Sequence, residues 1–186
     1  MKTRIFMLAL TLALAGSIAT QVQAQTIISS APIGVVGWTS RAADCRITSG
    51  AGLASLSTGN VTFKPAASGT ISLECQTTAV MRVDPTAINA FGLTFRNDNG
   101  FVGGVDQCKL LTTIGSYPYA GGLPTLIGAF STAGQTFSGV ETANIPLTAF
   151  LDYNNNMYLI GISLTRVSGA TCNPVAVASF LEDVIQ

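Results

Sequence analysis

Apolar and polar residues alternate with a period of two along several short stretches of this chain. Thr70–Cys75 and Phe91–Arg96 place an apolar side chain at every second position. The longest such stretch, Tyr158–Arg166, carries large apolar residues at alternate positions, and its other face carries Gly161, Ser163 and Thr165. This period is typical of β-strands that bury one face. The three segments are therefore predicted to be strands of a half-buried sheet.

Weaker patterns predict five more strands: Val35–Trp38, Asn60–Phe63, Cys108–Thr113, Ala143–Ala149 and Val175–Ile185. Segments rich in Gly, Asn, Ser and Pro separate the strands and predict turns. Residues 120–139 show no clear period, so we expect a long loop or an irregular hairpin there. Many short strands with such turns are typical of an antiparallel sandwich or barrel. We predict an all-β fold, an antiparallel β-sandwich of immunoglobulin-like or jelly-roll-like type.

The first 24 residues have the three parts of a secretion signal. Lys2 and Arg4 are positive, Ile5–Leu14 is apolar, and Val22–Ala24 has small residues at the cleavage positions. The apolar run is shorter than the roughly 20 residues that a membrane-spanning helix needs. We therefore predict that residues 1–24 are a signal peptide and that residues 25–186 form a single β-sandwich domain. This domain is expected to be periplasmic or extracellular, with no membrane span.

Four isolated cysteines, Cys45, Cys75, Cys108 and Cys172, follow the predicted signal. In an exported chain, an even number of cysteines predicts disulfide bonds. A zinc site with four thiolates normally uses closely paired ligands, and these cysteines are far apart. Three pairings are possible. We adopt Cys45–Cys75 and Cys108–Cys172, which join neighbours in sequence, and keep a bond between Cys75 and Cys108 as the alternative.

Charged residues are sparse, at 10% of the chain against about 25% in an average soluble domain. Two of the nine Lys and Arg residues lie in the predicted signal, which leaves seven cations against nine carboxylates. Arg41 and Arg46 are close in sequence but do not extend into a basic stripe. Nucleic acid and anionic membrane surfaces are therefore poor candidate partners. A protein or a glycan is the expected partner.

The chain contains no histidine, which excludes Ser-His-Asp, Cys-His and His-ligated zinc chemistry. Lys64 and Lys109 are the only lysines outside the signal, and neither lies in an S-x-x-K motif. Trp38 is the only tryptophan, although carbohydrate-cleaving sites usually offer several aromatic rings. A pair of carboxylates acting on glycosides stays open. The candidates are Asp84, Asp98, Asp106, Glu141, Asp152, Glu182 and Asp183. We predict no catalytic, cofactor-binding or metal-binding residues, and a protein that is not an enzyme.

Two polar segments carry residues that are able to bind a cation. Asp152–Asn156 has oxygen ligands at alternate positions, as an EF-hand loop does. Met157 stands where that loop needs Gly, and Ser163 stands where it needs Glu, so we favour a polar turn leading into a strand. Asp98 and Asp106 flank a glycine-rich loop, which we interpret as solvated rather than cation-binding.

The order of strands and cysteines resembles that of small exported bacterial β-sandwich proteins of unknown function. Those chains end one strand with Cys, continue with a short alternating strand and open the next strand with a second Cys. The matching segments here are Leu73–Cys75, Phe91–Asp98 and Asp106–Leu110. The exported bacterial chains then close with an apolar strand, a polar turn and a last strand that ends in an acidic residue. The matching segments here are Tyr158–Arg166, Ser168–Pro174 and Val175–Glu182. Cys172 departs from the pattern because it lies in the last turn. The resemblance implies a fold and no activity.

Three functions stay open from the sequence. A secreted, non-catalytic binding or surface-associated module leads by elimination. A pilin-like subunit would donate the apolar segment Gln25–Val36 to a neighbour, although Val184–Gln186 lacks the aromatic residue that fimbrial subunits usually place next to last. A histidine-free hydrolase would need two of the carboxylates close together in one cleft.

Overall fold

The computed structural model describes residues 27–29, 35–78 and 84–184. The predicted signal peptide and its cleavage site lie outside these residues. The described part of the chain forms fourteen β-strands and three short 3-10 turns, and it contains no α-helix. It also contains no helix long and apolar enough to cross a membrane.

The first seven strands are β1 (Ile27–Ser29), β2 (Val35–Arg41), β3 (Arg46–Ser49), β4 (Ala54–Ser57), β5 (Asn60–Phe63), β6 (Gly69–Gln76) and β7 (Ala90–Arg96). The remaining seven are β8 (Phe101–Val102), β9 (Val105–Asp106), β10 (Cys108–Pro118), β11 (Thr125–Ser131), β12 (Val140–Pro146), β13 (Asn156–Arg166) and β14 (Val175–Asp183).

The strands form two main antiparallel sheets. One sheet has seven strands in the order β1-β12-β7-β14-β5-β4, with β2 also paired to β14. The other has five strands in the order β11-β10-β13-β6-β3, and β8 and β9 form a separate hairpin. The prediction of an all-β antiparallel sandwich is confirmed.

The core lies between the two sheets because each sheet turns its alternating apolar residues inward. In the five-stranded sheet, β10 and β13 bury their even-numbered apolar residues, and β6 buries its odd-numbered ones. In the seven-stranded sheet, Phe91, Leu93 and Phe95 of β7 are fully buried. Apart from Cys108, which packs with Ala170 and Cys172, these apolar residues belong to one continuous cluster. The period-two pattern in the sequence therefore identified the inward faces correctly.

Of the two alternatives for residues 120–139, the long loop is wrong and the irregular hairpin is confirmed, because β11 lies within that range and pairs with β10. In the register with β10, Ile114 lies opposite Gly128, whereas Gly115 lies opposite Leu126. Ile127 is thus an extra residue in a β-bulge. The bulge buries Ile127 and Gly128 in succession, which removes the alternation that would have predicted a strand.

The strand predicted at Ala143–Ala149 begins and ends earlier, at Val140–Pro146. Four consecutive residues, Thr142 to Ile145, are buried. A strand that is covered on both faces shows no polar and apolar alternation. The sequence pattern therefore could not define the bounds of β12.

Two disulfide bonds join Cys45 to Cys75 and Cys108 to Cys172. This is the pairing of neighbours in sequence that we adopted above. The bonds close loops with sequence separations of 30 and 64 residues. Each is expected to stabilise the fold by about 4 kcal/mol in the loop-entropy description.

A pair of tyrosines holds the turn before β13. The Tyr153 hydroxyl donates a hydrogen bond to Thr77 Oγ1 at 2.6 Å, and the two rings of Tyr153 and Tyr158 are 5.0 Å apart between centroids. The Tyr158 hydroxyl accepts a 2.7 Å hydrogen bond from the backbone N–H of Asp152. Burial raises the pKa of Tyr153 to about 12, because its ionised form would lose solvation.

Candidate functional site

The outward face of the five-stranded sheet carries a groove of about 440 Å³. Strands β10 and β13 form its floor, and β6, β3 and β11 contribute to its sides. Because side chains alternate along a strand, the residues that line it lie between those that enter the core. Its side chains are mainly hydroxyl-bearing or aliphatic, for example Ser72, Thr113, Ser163, Leu111, Leu126 and Leu159.

Two glycines lie at the floor of this groove. Gly115 lies opposite Leu159, and Gly161 lies opposite Thr113. A Cβ atom at Gly115 would lie 3.0 Å from the ring of Tyr117, and one at Gly161 would lie 3.1 Å from Thr113 Oγ1. Thus the Tyr117 ring lies along the sheet over Gly115, where a larger residue would displace it.

The groove holds little net charge. Glu74 is the one charged residue among the described residues that line it. Its Oε1 accepts a 2.8 Å hydrogen bond from Nη2 of Arg46 on the neighbouring strand. Both side chains are partly exposed, so this ion pair contributes little to stability. It does neutralise the single carboxylate of the groove.

A second hollow of about 520 Å³ continues the groove toward the start of β3. The two hollows share Glu74 and Leu159. Gln76 and Met157 line the second one, and Gln76 Nε2 donates a hydrogen bond to Met157 Sδ at 3.6 Å. The outward face thus offers a continuous trough across the middle strands of the sheet.

The candidate carboxylates predicted from the sequence lie elsewhere, and two of them stabilise turns. Asp84 Oδ1 accepts hydrogen bonds from the backbone N–H and the hydroxyl of Thr86, at 2.9 and 2.8 Å. Asp152 accepts from the side chain of Asn155 at 2.7 Å and from the backbone N–H of Asn154 at 3.0 Å. Hydrogen bonds to the ionised form lower a carboxyl pKa. The backbone bond from Thr86 lowers the pKa of Asp84, and the Asn155 side chain lowers the pKa of Asp152.

Asp98 and Asp106 anchor the segment that precedes β12. Asp98 accepts a 2.6 Å hydrogen bond from the N–H of Gly139 and forms an ion pair with Arg96. Asp106 accepts a 2.8 Å hydrogen bond from the N–H of Gly134. Both carboxylates at the glycine-rich loop are thus hydrogen-bonded to backbone amides.

The remaining candidates are dispersed over the seven-stranded sheet. Glu182 is fully buried in β14, Glu141 is half-buried in β12, and Asp183 accepts a 3.3 Å hydrogen bond from Asn89. None of the seven candidate carboxylates lines the trough. Of the two lysines among the described residues, Lys64 donates to the Gly52 carbonyl at 2.9 Å. Among the described residues, no three Cys, Asp or Glu side chains are grouped so that they could hold a metal ion.

The sequence reasoning missed the residues that shape the groove. A signal was available, because every residue that alternates with the buried positions between Ile160 and Arg166 of β13 is small or hydroxyl-bearing. A solvent-facing side that lacks long polar residues marks an unusual surface. The position of Tyr117 had no such signal, because it depends on the neighbouring Gly115.

No known protein family and no curated protein matches this chain. Among solved structures, the chain is similar to a family two carbohydrate esterase from Cellvibrio japonicus, at 15% identity and a TM-score of 0.36. The similarity covers 84% of this chain and 32% of the esterase chain, so this chain spans about a third of that protein.

The chain is also similar to a family 11 carbohydrate-binding module from Clostridium thermocellum in complex with a β-1,3-1,4-mixed-linked tetrasaccharide. That pair shares 12% identity over 91% of this chain and 94% of the other, with a TM-score of 0.37. A module described for specific mannan recognition shares 10% identity over 86% and 99% of the two chains, with a TM-score of 0.35. Similarity at this level carries no argument about the ligand of this chain.

Proposed function

We propose that this protein is a non-catalytic binding module whose ligand lies in the trough on the outward face of the five-stranded sheet. The observation that supports this is the groove of about 440 Å³ on that face. Gly161 lies at its floor without a side chain, and the Tyr117 ring lies over Gly115 beside it. A concave surface with aliphatic walls and a few polar groups is the usual form of a ligand site.

The ligand is an uncharged, hydroxyl-bearing chain such as a neutral glycan. The leucines of the groove and the Tyr117 ring offer apolar surface to the C–H faces of sugar rings. Ser72, Thr113 and Ser163 offer hydroxyl groups that both donate and accept hydrogen bonds. In the groove, the carboxylate of Glu74 is paired with the guanidinium of Arg46, so the groove has no excess charge to attract an ionic ligand. Asp44, which lines the second hollow, is the other carboxylate of the trough.

We also propose that the protein is exported to the periplasm or the extracellular space, with a mature chain that begins at Gln25. The two disulfide bonds support this, because such bonds persist in oxidising compartments. The non-catalytic character of the protein is part of the same proposal. It is supported by the separate structural roles of Asp84, Asp98, Asp106 and Asp152.

The test compares two glycine-to-valine variants. Gly161→Val fills the floor of the groove. Gly52→Val is the control, because Gly52 does not line the trough and a Cβ atom there would meet no atom within 4 Å. Binding to a panel of soluble neutral polysaccharides is measured by affinity electrophoresis and calorimetry. We expect Gly161→Val to weaken binding roughly tenfold or more, and Gly52→Val to bind like the wild-type protein.

The proposal fails if the wild-type protein binds none of the neutral polysaccharides. It also fails if both variants retain wild-type affinity, because the ligand would then lie on another surface. Circular dichroism of both variants verifies that each is folded.

A further inference from the structure

Four large apolar side chains are exposed at one end of the sandwich. Leu123 is 88% exposed and Phe150 is 76% exposed, the highest values among the large apolar residues that the structure describes. Tyr119 and Leu126 are 64% and 61% exposed. If each whole side chain is taken as about 175 Å², the four together present roughly 500 Å² of surface. An exposed apolar patch of this size is often a site of interaction.

Two loops carry this patch. The hairpin loop, residues 119–124, joins β10 to β11, and the connecting loop, residues 147–155, joins β12 to β13. Leu126 is the second residue of β11, so it directly follows the hairpin loop. The patch is thus made of side chains that turns and a strand end present, outside the packed faces of the two sheets.

Backbone hydrogen bonds hold the two loops side by side. The N–H of Tyr119 donates to the carbonyl of Asn155, and the N–H of Thr148 donates to the carbonyl of Ile127, both at 2.9 Å. The first bond joins the start of the hairpin loop to the end of the connecting loop. The second joins β11, just after the hairpin loop, to the second residue of the connecting loop. The exposed side chains of both loops therefore lie at the same end of the molecule, between these two bonds.

The connecting loop is anchored on both sides of Phe150. Before it, the Thr148 hydroxyl donates a second hydrogen bond to the Ile127 carbonyl, at 3.1 Å. After it, Leu151 is buried in the main core. The anchored loop keeps the Phe150 ring on the outside, where only a partner is able to remove it from water.

Charge is nearly absent from this part of the chain. Between Leu110 and Leu151 the sequence contains one charged residue, Glu141, which lies in β12 opposite Phe95, at the end far from the connecting loop. The two loops contain no Lys or Arg, and their one carboxylate, Asp152, accepts hydrogen bonds within its own turn. The patch therefore offers apolar contact without attraction to an anionic partner.

We infer that these two loops dock on the surface of a neutral lipid bilayer, with Leu123 and Phe150 inserted among the acyl chains. The Tyr119 ring then lies at the headgroup level, because a tyrosine ring is apolar at one end and polar at the other. A stable interface with a protein or a second copy needs about 800 Å² on each partner, which is more than this patch offers. A bilayer needs no complementary shape, so protruding side chains suit it.

The backbone of the hairpin loop fits the same environment. A backbone N–H that enters lipid without a partner is costly. Pro118 and Pro124 stand on the two sides of the loop and have no N–H, and the N–H of Gly121 donates to the Pro118 carbonyl at 3.2 Å. This inference is independent of the ligand proposed above, because neither Leu123 nor Phe150 lines the trough.

The first test measures how the secreted protein binds vesicles. Vesicles of phosphatidylcholine alone, and of an equal mixture with phosphatidylglycerol, are floated with the protein at low and at high salt. We expect binding to both, not weakened by salt and changed less than about twofold by the anionic lipid, because no cation of the loops takes part. Absence of binding to phosphatidylcholine overturns the inference. Binding that requires phosphatidylglycerol, or that is lost at high salt, also overturns it.

The second test locates the surface with matched variants. Leu123→Ser and Phe150→Ser each remove one apolar side chain from the loops. Leu56→Ser is the control, because Leu56 is 57% exposed on β4, outside both loops. We expect vesicle binding to fall roughly tenfold for each loop variant and to stay at the wild-type level for the control. Equal binding by all four proteins contradicts the inference. Circular dichroism verifies that each variant is folded, and any binding to neutral polysaccharides should be unchanged in all of them.

The third test detects insertion itself. Leu123→Trp adds a tryptophan at the patch, and the wild-type protein gives the background from Trp38. We expect phosphatidylcholine vesicles to shift the added emission to the blue and brominated acyl chains to quench it, with neither effect in Leu56→Trp. No shift at position 123 overturns the inference. So does a wild-type dimer in light scattering that Leu123→Ser dissociates, because the patch would then join two copies.

Discussion

The outward faces of the two sheets differ in how far their side chains are exposed to solvent. On the five-stranded sheet, Leu111 and Leu126 are 43% and 61% exposed beside the groove. On the seven-stranded sheet, Asn144, Phe180 and Glu182 point away from the core, yet they are only 1%, 3% and 0% exposed. At these described positions, the outward face of the five-stranded sheet is open to solvent, whereas that of the seven-stranded sheet is covered.

Glycine has opposite roles on the two faces. The Phe180 ring occupies the space beside Gly92, so that a Cβ atom there would lie 2.1 Å from the ring. At Gly161 the nearest atom to such a Cβ is the hydroxyl of Thr113, at 3.1 Å. One glycine thus permits close packing of the sheet face, whereas the other leaves open a surface for binding.

The largest expected effect comes from replacing one glycine on each face with valine, which tests the difference between the faces directly. Gly92→Val forces the Phe180 ring out of its position and should lower the free energy of unfolding by about 3 kcal/mol, as overpacking does. Gly161→Val should change the same quantity by less than about 1 kcal/mol, because valine suits a strand and the Thr113 side chain is able to rotate. Urea unfolding followed by circular dichroism measures both variants. Equal losses would show that the two faces are packed alike.

A smaller effect concerns buried polar groups in the two sheets. Thr112, in the five-stranded sheet, donates a 3.1 Å hydrogen bond to the Gly161 carbonyl. The side-chain amide of Asn144, in the seven-stranded sheet, makes no hydrogen bond to any described residue. Thr112→Val should therefore lower the free energy of unfolding by about 1 kcal/mol, and Asn144→Leu should raise it by about the same amount. Destabilisation by Asn144→Leu would mean that the amide is hydrogen-bonded in solution.

A third prediction concerns the stability of the fold at alkaline pH, where Tyr153 ionises. The pKa of Tyr153 is raised by burial to about 12, above its ordinary value of about 10 in an unfolded chain. A raised pKa gives stability that is complete below about pH 10 and is lost as the pH rises toward 12. Tyr153→Phe should weaken this loss, at a cost of about 1 kcal/mol for the hydrogen bond to Thr77. Tyrosinate absorbance and unfolding curves between pH 9 and about 12 test it.

The smallest expected effect is that of pH near neutrality, where stability and binding should stay constant. With no histidine in the chain, no side chain of ordinary pKa titrates between about pH 6 and 8. The free energy of unfolding and any glycan binding should be nearly constant across that range. Thermal unfolding and binding at several pH values measure both. A steep change would identify a strongly shifted carboxylate or lysine as a site residue and would contradict the non-catalytic proposal.

The sequence predicted the strands that bury one face, because their side chains alternate. β6, β7 and β13 follow the predicted segments to within two residues, and β5 coincides with its segment. β11 was missed because its bulge buries neighbouring residues, and β12 was misplaced because both of its faces are buried. The candidate carboxylates could be named from the sequence, and Asp84 and Asp152 have partners within three residues. Asp98 and Asp106 instead accept hydrogen bonds from backbone amides of distant loops, which no local pattern reveals.

By itself, the sequence determined the all-β class, the cysteines available for bonding and the absence of imidazole chemistry, because these follow from composition and from local periodicity. Tertiary structure decided the disulfide pairing among three possibilities, the open face of the sandwich and the shape of its groove. Gly115 and Gly161 are far apart in sequence, and only the register of β10 and β13 brings them to one surface. Register is a long-range property of strand pairing, set by how two whole faces pack, and a pattern of period two along one strand does not contain it.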